Sequence, residues 1–81
     1  MKSSKVIERI VQTDRLLQSG NIGNADDFAK QLDVSKRTVF NLLKMLKDDF
    51  GAPVIFDKRS KSYRYARKGS IVMDFVTEDN I

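Results

Sequence analysis

Glycines and a single proline cut this chain into pieces too short to stand alone. Gly20 and Gly23 part a first segment from a second. Gly51 and Pro53 stop a third, and Lys68-Gly69-Ser70 ends a fourth. Isolated helices of fewer than ~12–15 residues are marginal in water, and a lone two-stranded hairpin is no better. The pieces must therefore pack on one another. With 81 residues in all, they must do so in one small domain.

The pieces differ in period. Residues 5–18 (KVIERIVQTDRLLQ) carry Val6, Ile10 and Leu17 on one helical face, with Ile7 and Asp14 following the period loosely. Ser3 or Ser4 is placed to cap that helix and Gly20 to end it. Asn24 before Ala25-Asp26-Asp27 reads as an N-cap with acids in the first turn, so a short second helix is predicted over 25–31, with Phe28, Ala29 and Leu32 apolar. Leu32-Asp33-Val34 is a turn and Ser35 a second N-cap. The third helix is predicted over 36–49, with Val39, Leu43 and Leu46 inward. Residues 54–66 read as a hairpin: Val54 to Asp57, a polar turn at 58–61, and the alternating SYRYA run. Residues 70–76 are a candidate third strand, though one and a half helical turns also fit; β-branched content favours strand. Residues 77–81 read as a tail. The class is α+β: three helices, a hairpin and a candidate third strand.

Composition removes most chemistry. There is no cysteine and no histidine, which excludes thiolate zinc sites, disulfides and every Ser-His or Cys-His nucleophile pair. The acidic pairs Asp26-Asp27 and Asp48-Asp49 lie at helix ends, where capping and solvation explain them. The expectation is no enzyme, no catalytic residue, no metal and no cofactor. No apolar run reaches the ~18 residues of a membrane span, and the charges of Glu8 and Arg9 interrupt any signal-peptide core, so a cytoplasmic protein is expected.

Charge is unevenly spread. Residues 1–35 are neutral overall, whereas 36–68 hold ten basic side chains against three acidic, a net of +7. Residues 69–81 hold three acids and no base. A segment so basic is the electrostatic footprint of a polyanion partner, although a solvated basic face looks the same in a sequence. Lys36 and Arg37 sharpen the point, because cations at a helix N-terminus oppose the dipole unless an anion is expected there.

Order and spacing narrow the partner. A small residue, Ala29, falls where two helices must approach. Four residues later Asp33 occupies a turn position that asks for positive φ, which Asp tolerates. Ten residues after Ala29, Val39 is the apolar plug of the third helix. This matches the helix-turn-helix template. The stretch NADDFAKQLDVSKRTVFNLLKMLK (24–47) resembles the winged helix-turn-helix at the N-terminus of DeoR-type repressors, the biotin-operon repressor and the WYL-domain regulators. FGAPVIFDKRSKSYRY (50–65) is similar to their wing. The family often has Arg-Asp where this chain has Asn41-Leu42, so that Arg contact does not carry over. The resemblance implies a stand-alone DNA-binding domain with no small-molecule effector domain of the usual kind.

The residues read alone point the same way. With Val39, Leu43 and Leu46 inward, the third helix shows Lys36, Arg37, Phe40, Asn41 and Lys44 outward, a fit to the major groove. Arg37 suits guanine O6 and N7, Asn41 adenine N6 and N7, and Phe40 a thymine methyl, unless Phe40 is core. Ser35, Thr38 and Lys44 suit phosphates, as do Lys58, Arg59 and Lys61 at the hairpin tip. Tyr63 and Tyr65 read as packing residues. Leu42 and Met45 fit the inward stripe poorly, as do Val72 and Val76; if exposed, they argue for a homodimer on palindromic double-stranded DNA. The rival readings are a protein-docking winged helix that has lost DNA contacts, and, far behind, a carboxylate nuclease.

Overall fold

A computed structural model describes residues 5–72. The element order is α1 (Lys5–Ser19), α2 (Ala25–Leu32), α3 (Lys36–Asp49), β1 (Val54–Asp57) and β2 (Ser62–Tyr65). It is an α+β arrangement, three helices followed by a two-stranded antiparallel hairpin. Residues 70–72 of the expected third strand are not strand; the rest of that segment, the tail and the candidate caps Ser3 and Ser4 lie outside the described residues. Among the described residues no helix is long and apolar enough to cross a membrane.

The helix ends follow from their caps. The Asn24 side chain accepts from the Asp26 and Asp27 N–H groups, and the Asp27 carboxylate accepts from the Asn24 N–H at 2.9 Å. This reciprocal capping box explains how an eight-residue helix holds its start. At its other end Asp33 adopts φ 55°, ψ 50°, the left-handed conformation the spacing requires. The Val34 N–H then reaches back to the Ala29 carbonyl at 3.0 Å. Ala29 leaves room for this close turn. Arg9 Nη1 donates to the Leu32 carbonyl at 2.8 Å, so α1 satisfies an open carbonyl at the end of α2. Ser35 Oγ accepts from the Thr38 N–H at 3.2 Å and opens α3.

One core joins all five elements: Ile10 and Leu17 of α1, Ala25, Phe28 and Leu32 of α2, Val39, Leu42, Leu43 and Leu46 of α3, Val54 and Tyr65 of the hairpin. Three expectations need correction. Val6, placed inward by its spacing, is 54% exposed, because the buried stripe of α1 is Ile10, Thr13, Asp14 and Leu17. Leu42 is buried in the core and Met45 is half-buried, so of the four residues on which the homodimer expectation leaned these two supply no exposed surface; Val72 is 72% exposed, and Val76 lies outside the described residues. Helices α1 and α2 each run one residue further than expected, to Ser19 and Leu32.

The hairpin is fastened on its inner face. In the register Val54 faces Tyr65 and Phe56 faces Tyr63. The Tyr63 ring meets Phe28 edge-on at 6.0 Å, and Phe56 at 4.9 Å. The loop before α2 adds two hydrogen bonds. Gly23 N–H donates to Ser62 Oγ at 2.9 Å, and Tyr63 N–H donates to the Gly23 carbonyl at 3.0 Å. Gly23 has φ 128°, and a Cβ there would overlap the Asp27 carboxylate, so the capping box and this docking both need glycine.

The buried carboxylate among the described residues is Asp14. Its carboxylate accepts from Tyr65 Oη at 2.5 Å, the Ile71 N–H at 3.1 Å and Gln18 Nε2 at 2.8 Å. Burial, then the Asp14 hydrogen bond and charge, push the Tyr65 hydroxyl above its ordinary 10. The folded protein therefore holds a proton that the unfolded chain releases, and stability is lost as pH rises above about 10. Tyr65→Phe is expected to cost about 1.5–3 kcal/mol in urea unfolding at neutral pH, the range for hydrogen bonds to charged groups. It should also flatten the alkaline loss of stability seen in the parent.

Candidate nucleic-acid interface

Because α3 buries Val39, Leu42, Leu43 and Leu46, its remaining positions divide into three strips. Spacings of four and three put Arg37, Asn41 and Lys44 on the outward ridge, all exposed. Lys36, Phe40 and Lys47 lean toward the hairpin. Thr38 and Met45 lean toward α1. The outward set expected of this helix is thus exposed, and Phe40, at 46% exposure, is not core.

The hairpin side forms a cleft. Phe40, Lys44 and Lys47 line it from α3, and Ile55, Phe56 and Tyr63 from the strands. An adjoining hollow of about 240 Å³ continues it past Lys36 and Asp26. Phe56 is 43% exposed although it shares the inner face with buried Val54, since that face runs past the edge of the core. On the other flank Asn41 and Thr38 border a groove against Val6 and Arg9 of α1. The outward ridge therefore borders both: Lys44 at one edge joins Lys36 and Phe40 beside β1, and Asn41 at the other borders the α1 groove with Thr38.

The cations at the start of α3 are partly answered within the chain. Lys36 Nζ lies 3.7 Å from Asp26 Oδ1 in the first turn of α2, with both side chains more than half exposed. So open a pair adds little stability and leaves the ammonium accessible. Arg37 makes no hydrogen bond or ion pair among the described residues. Ser35 and Thr38 hydroxyls sit 3.0 Å apart within the cap; a phosphate accepts, so it competes only for the hydroxyl hydrogen between them and leaves the Thr38 N–H bond to Ser35 Oγ in place.

Lys58, Arg59 and Lys61 occupy the turn at 58–61 and line neither cleft. Asp57 builds that turn: its Oδ1 accepts from the Arg59 N–H at 2.9 Å and its Oδ2 from Arg64 Nε at 3.0 Å. Lys61 has φ 54°, a strained value for a residue with a side chain. Reasoning from sequence missed Phe56 and Lys47. The signals were present, because Phe56 is two residues from core Val54 and Lys47 is three from Lys44.

Arg64, then the Arg59 N–H, hold the Asp57 carboxyl below its ordinary 3.8. The turn is therefore supported above that value and loosens as pH falls through the lower folded one. The Arg59 amide shift is expected to titrate with a midpoint below 3.8, and Arg64→Ala should move it back up.

No family model, no curated protein and no solved structure matches the chain.

Proposed function

We propose that this chain is a cytoplasmic winged helix-turn-helix DNA-binding domain that acts in transcriptional regulation. In this reading α3 enters the major groove and the hairpin is the wing. One observation carries it: α3, started by the Ser35 cap after the left-handed Asp33 turn, buries one face and presents Arg37, Asn41 and Lys44 as a single exposed ridge. Arg37 and Asn41 supply base-edge contacts, each worth roughly 1–3 kcal/mol of discrimination when bidentate. Lys36, Lys44 and the tip cations Lys58, Arg59 and Lys61 neutralise phosphates and set position. Ser35 and Thr38 add hydroxyl donors near the helix start.

A protein-docking module is the second reading. Exposed Phe40 and Phe56, side by side in the cleft, favour it, since neighbouring large apolar side chains are seldom left uncovered without a partner.

Fluorescence anisotropy on a randomised duplex pool, repeated across a salt series and followed by sequencing of the bound fraction, separates the two. DNA binding requires affinity that falls steeply with salt, and half-site spacing in the enriched motif reports whether two copies bind together. Absence of binding at low salt leaves the docking module. Lys36→Ala with Arg37→Ala is expected to lower the salt slope by up to about 2 and relax base preference. Lys58→Ala with Arg59→Ala should lower the slope similarly and leave the preference unchanged.

A further inference from the structure

We propose that the cleft between α3 and β1 is a subsite for the 5-methyl group of thymine, formed by Phe40 and Phe56. The inference rests on the DNA-binding reading and extends the thymine contact expected of Phe40 to a two-ring subsite that includes Phe56.

The cleft joins two properties that seldom meet. Its floor is aromatic, with Phe40 46% and Phe56 43% exposed. Its rim is cationic, with Lys44 and Lys47 along α3 and Lys36 at the adjoining hollow, where Asp26 is the one carboxylate. A purely apolar partner gains nothing from three lysines, and a bare polyanion gains nothing from two phenyl rings. A duplex offers both, because phosphates flank the major groove and thymine alone among the four bases carries an apolar group there.

One of the two rings, Phe56, is also set in place before any ligand arrives. Phe56 is held edge-on by Tyr63 at 4.9 Å, and Tyr63 by buried Phe28 at 6.0 Å. Phe40 stands one helical turn from Lys36 and Lys44 on the hairpin side of α3. A ring fixed from behind, as Phe56 is, loses little freedom when a methyl group covers it. The cleft of about 470 Å³ and the adjoining hollow of about 240 Å³ both open to solvent, so the edge of a base pair can reach the rings.

The test uses the duplex enriched from the randomised pool, with its thymines replaced one at a time by deoxyuridine. That change removes the methyl group and keeps every hydrogen-bonding atom. At one or two positions per bound copy the affinity is expected to fall about fourfold, the value of one buried methyl. Phe40→Ala and Phe56→Ala truncate exposed rings and leave the core intact. In both, the thymine-to-uracil ratio should fall toward one while the salt slope stays as in the parent. Uracil tolerated at every position, or an enriched pool without thymine, overturns the subsite and leaves DNA binding standing. A single strand of the same sequence binding as tightly as the duplex also overturns it, in favour of base stacking on the rings. A pool that does not bind at low salt overturns the DNA reading and the subsite with it.

Discussion

A hairpin of two four-residue strands has no stability of its own, and the buried bond between Tyr65 and Asp14 is what makes this one part of the domain. Asp14 comes from the middle of α1 and Tyr65 from the end of β2. A carboxylate in that position is costly to bury unless its oxygens are satisfied. Here Tyr65, Gln18 and the Ile71 backbone satisfy them. The first helix, the hairpin and the chain beyond it are thereby tied at one point. The Phe28–Tyr63 contact and the Gly23 hydrogen bonds add ties at the other end of β2. With β2 so placed, β1 follows by register, and Phe56 arrives beside α3.

The angle between α2 and α3 has a more local origin. Asp33 in the left-handed region, the Val34-to-Ala29 hydrogen bond and the Ser35 cap together form a turn of three residues. Such a turn leaves little freedom, and Val39 and Leu32 fill the corner between the helices. Because both helix starts are capped by side chains and α2 ends on Arg9, few backbone groups are left open at the joints. The exposed ridge of α3 is the complement of the stripe used for this packing.

Legibility in the sequence tracked how local each determinant is. The helix limits lay within a residue of expectation because caps and breakers act over three or four positions. The hairpin register followed the alternation of Tyr63 and Tyr65, which share its inner face. What misled was the identity of the buried side chains on α1. Thr13 and Asp14 take inward positions that hydropathy assigns to apolar residues, while Val6 stays outside. Thr13 is satisfied by the Arg9 carbonyl at 2.6 Å and Asp14 by partners 51 and 57 residues away. No local window along the chain contains Tyr65 or Ile71 together with Asp14.

The sequence by itself determined the three helices, the left-handed turn at Asp33, the hairpin and the concentration of positive charge after residue 35. Each of these depends on neighbours in the chain: spacing, capping, backbone freedom and composition. The tertiary structure alone decided that Leu42 is core and Phe40 is not, that Lys36 faces Asp26, and that Phe56 meets the lysine-flanked side of α3. Those outcomes depend on which surfaces the packing of α1 and the hairpin leaves uncovered, and burial is a property of the assembled layers rather than of any segment.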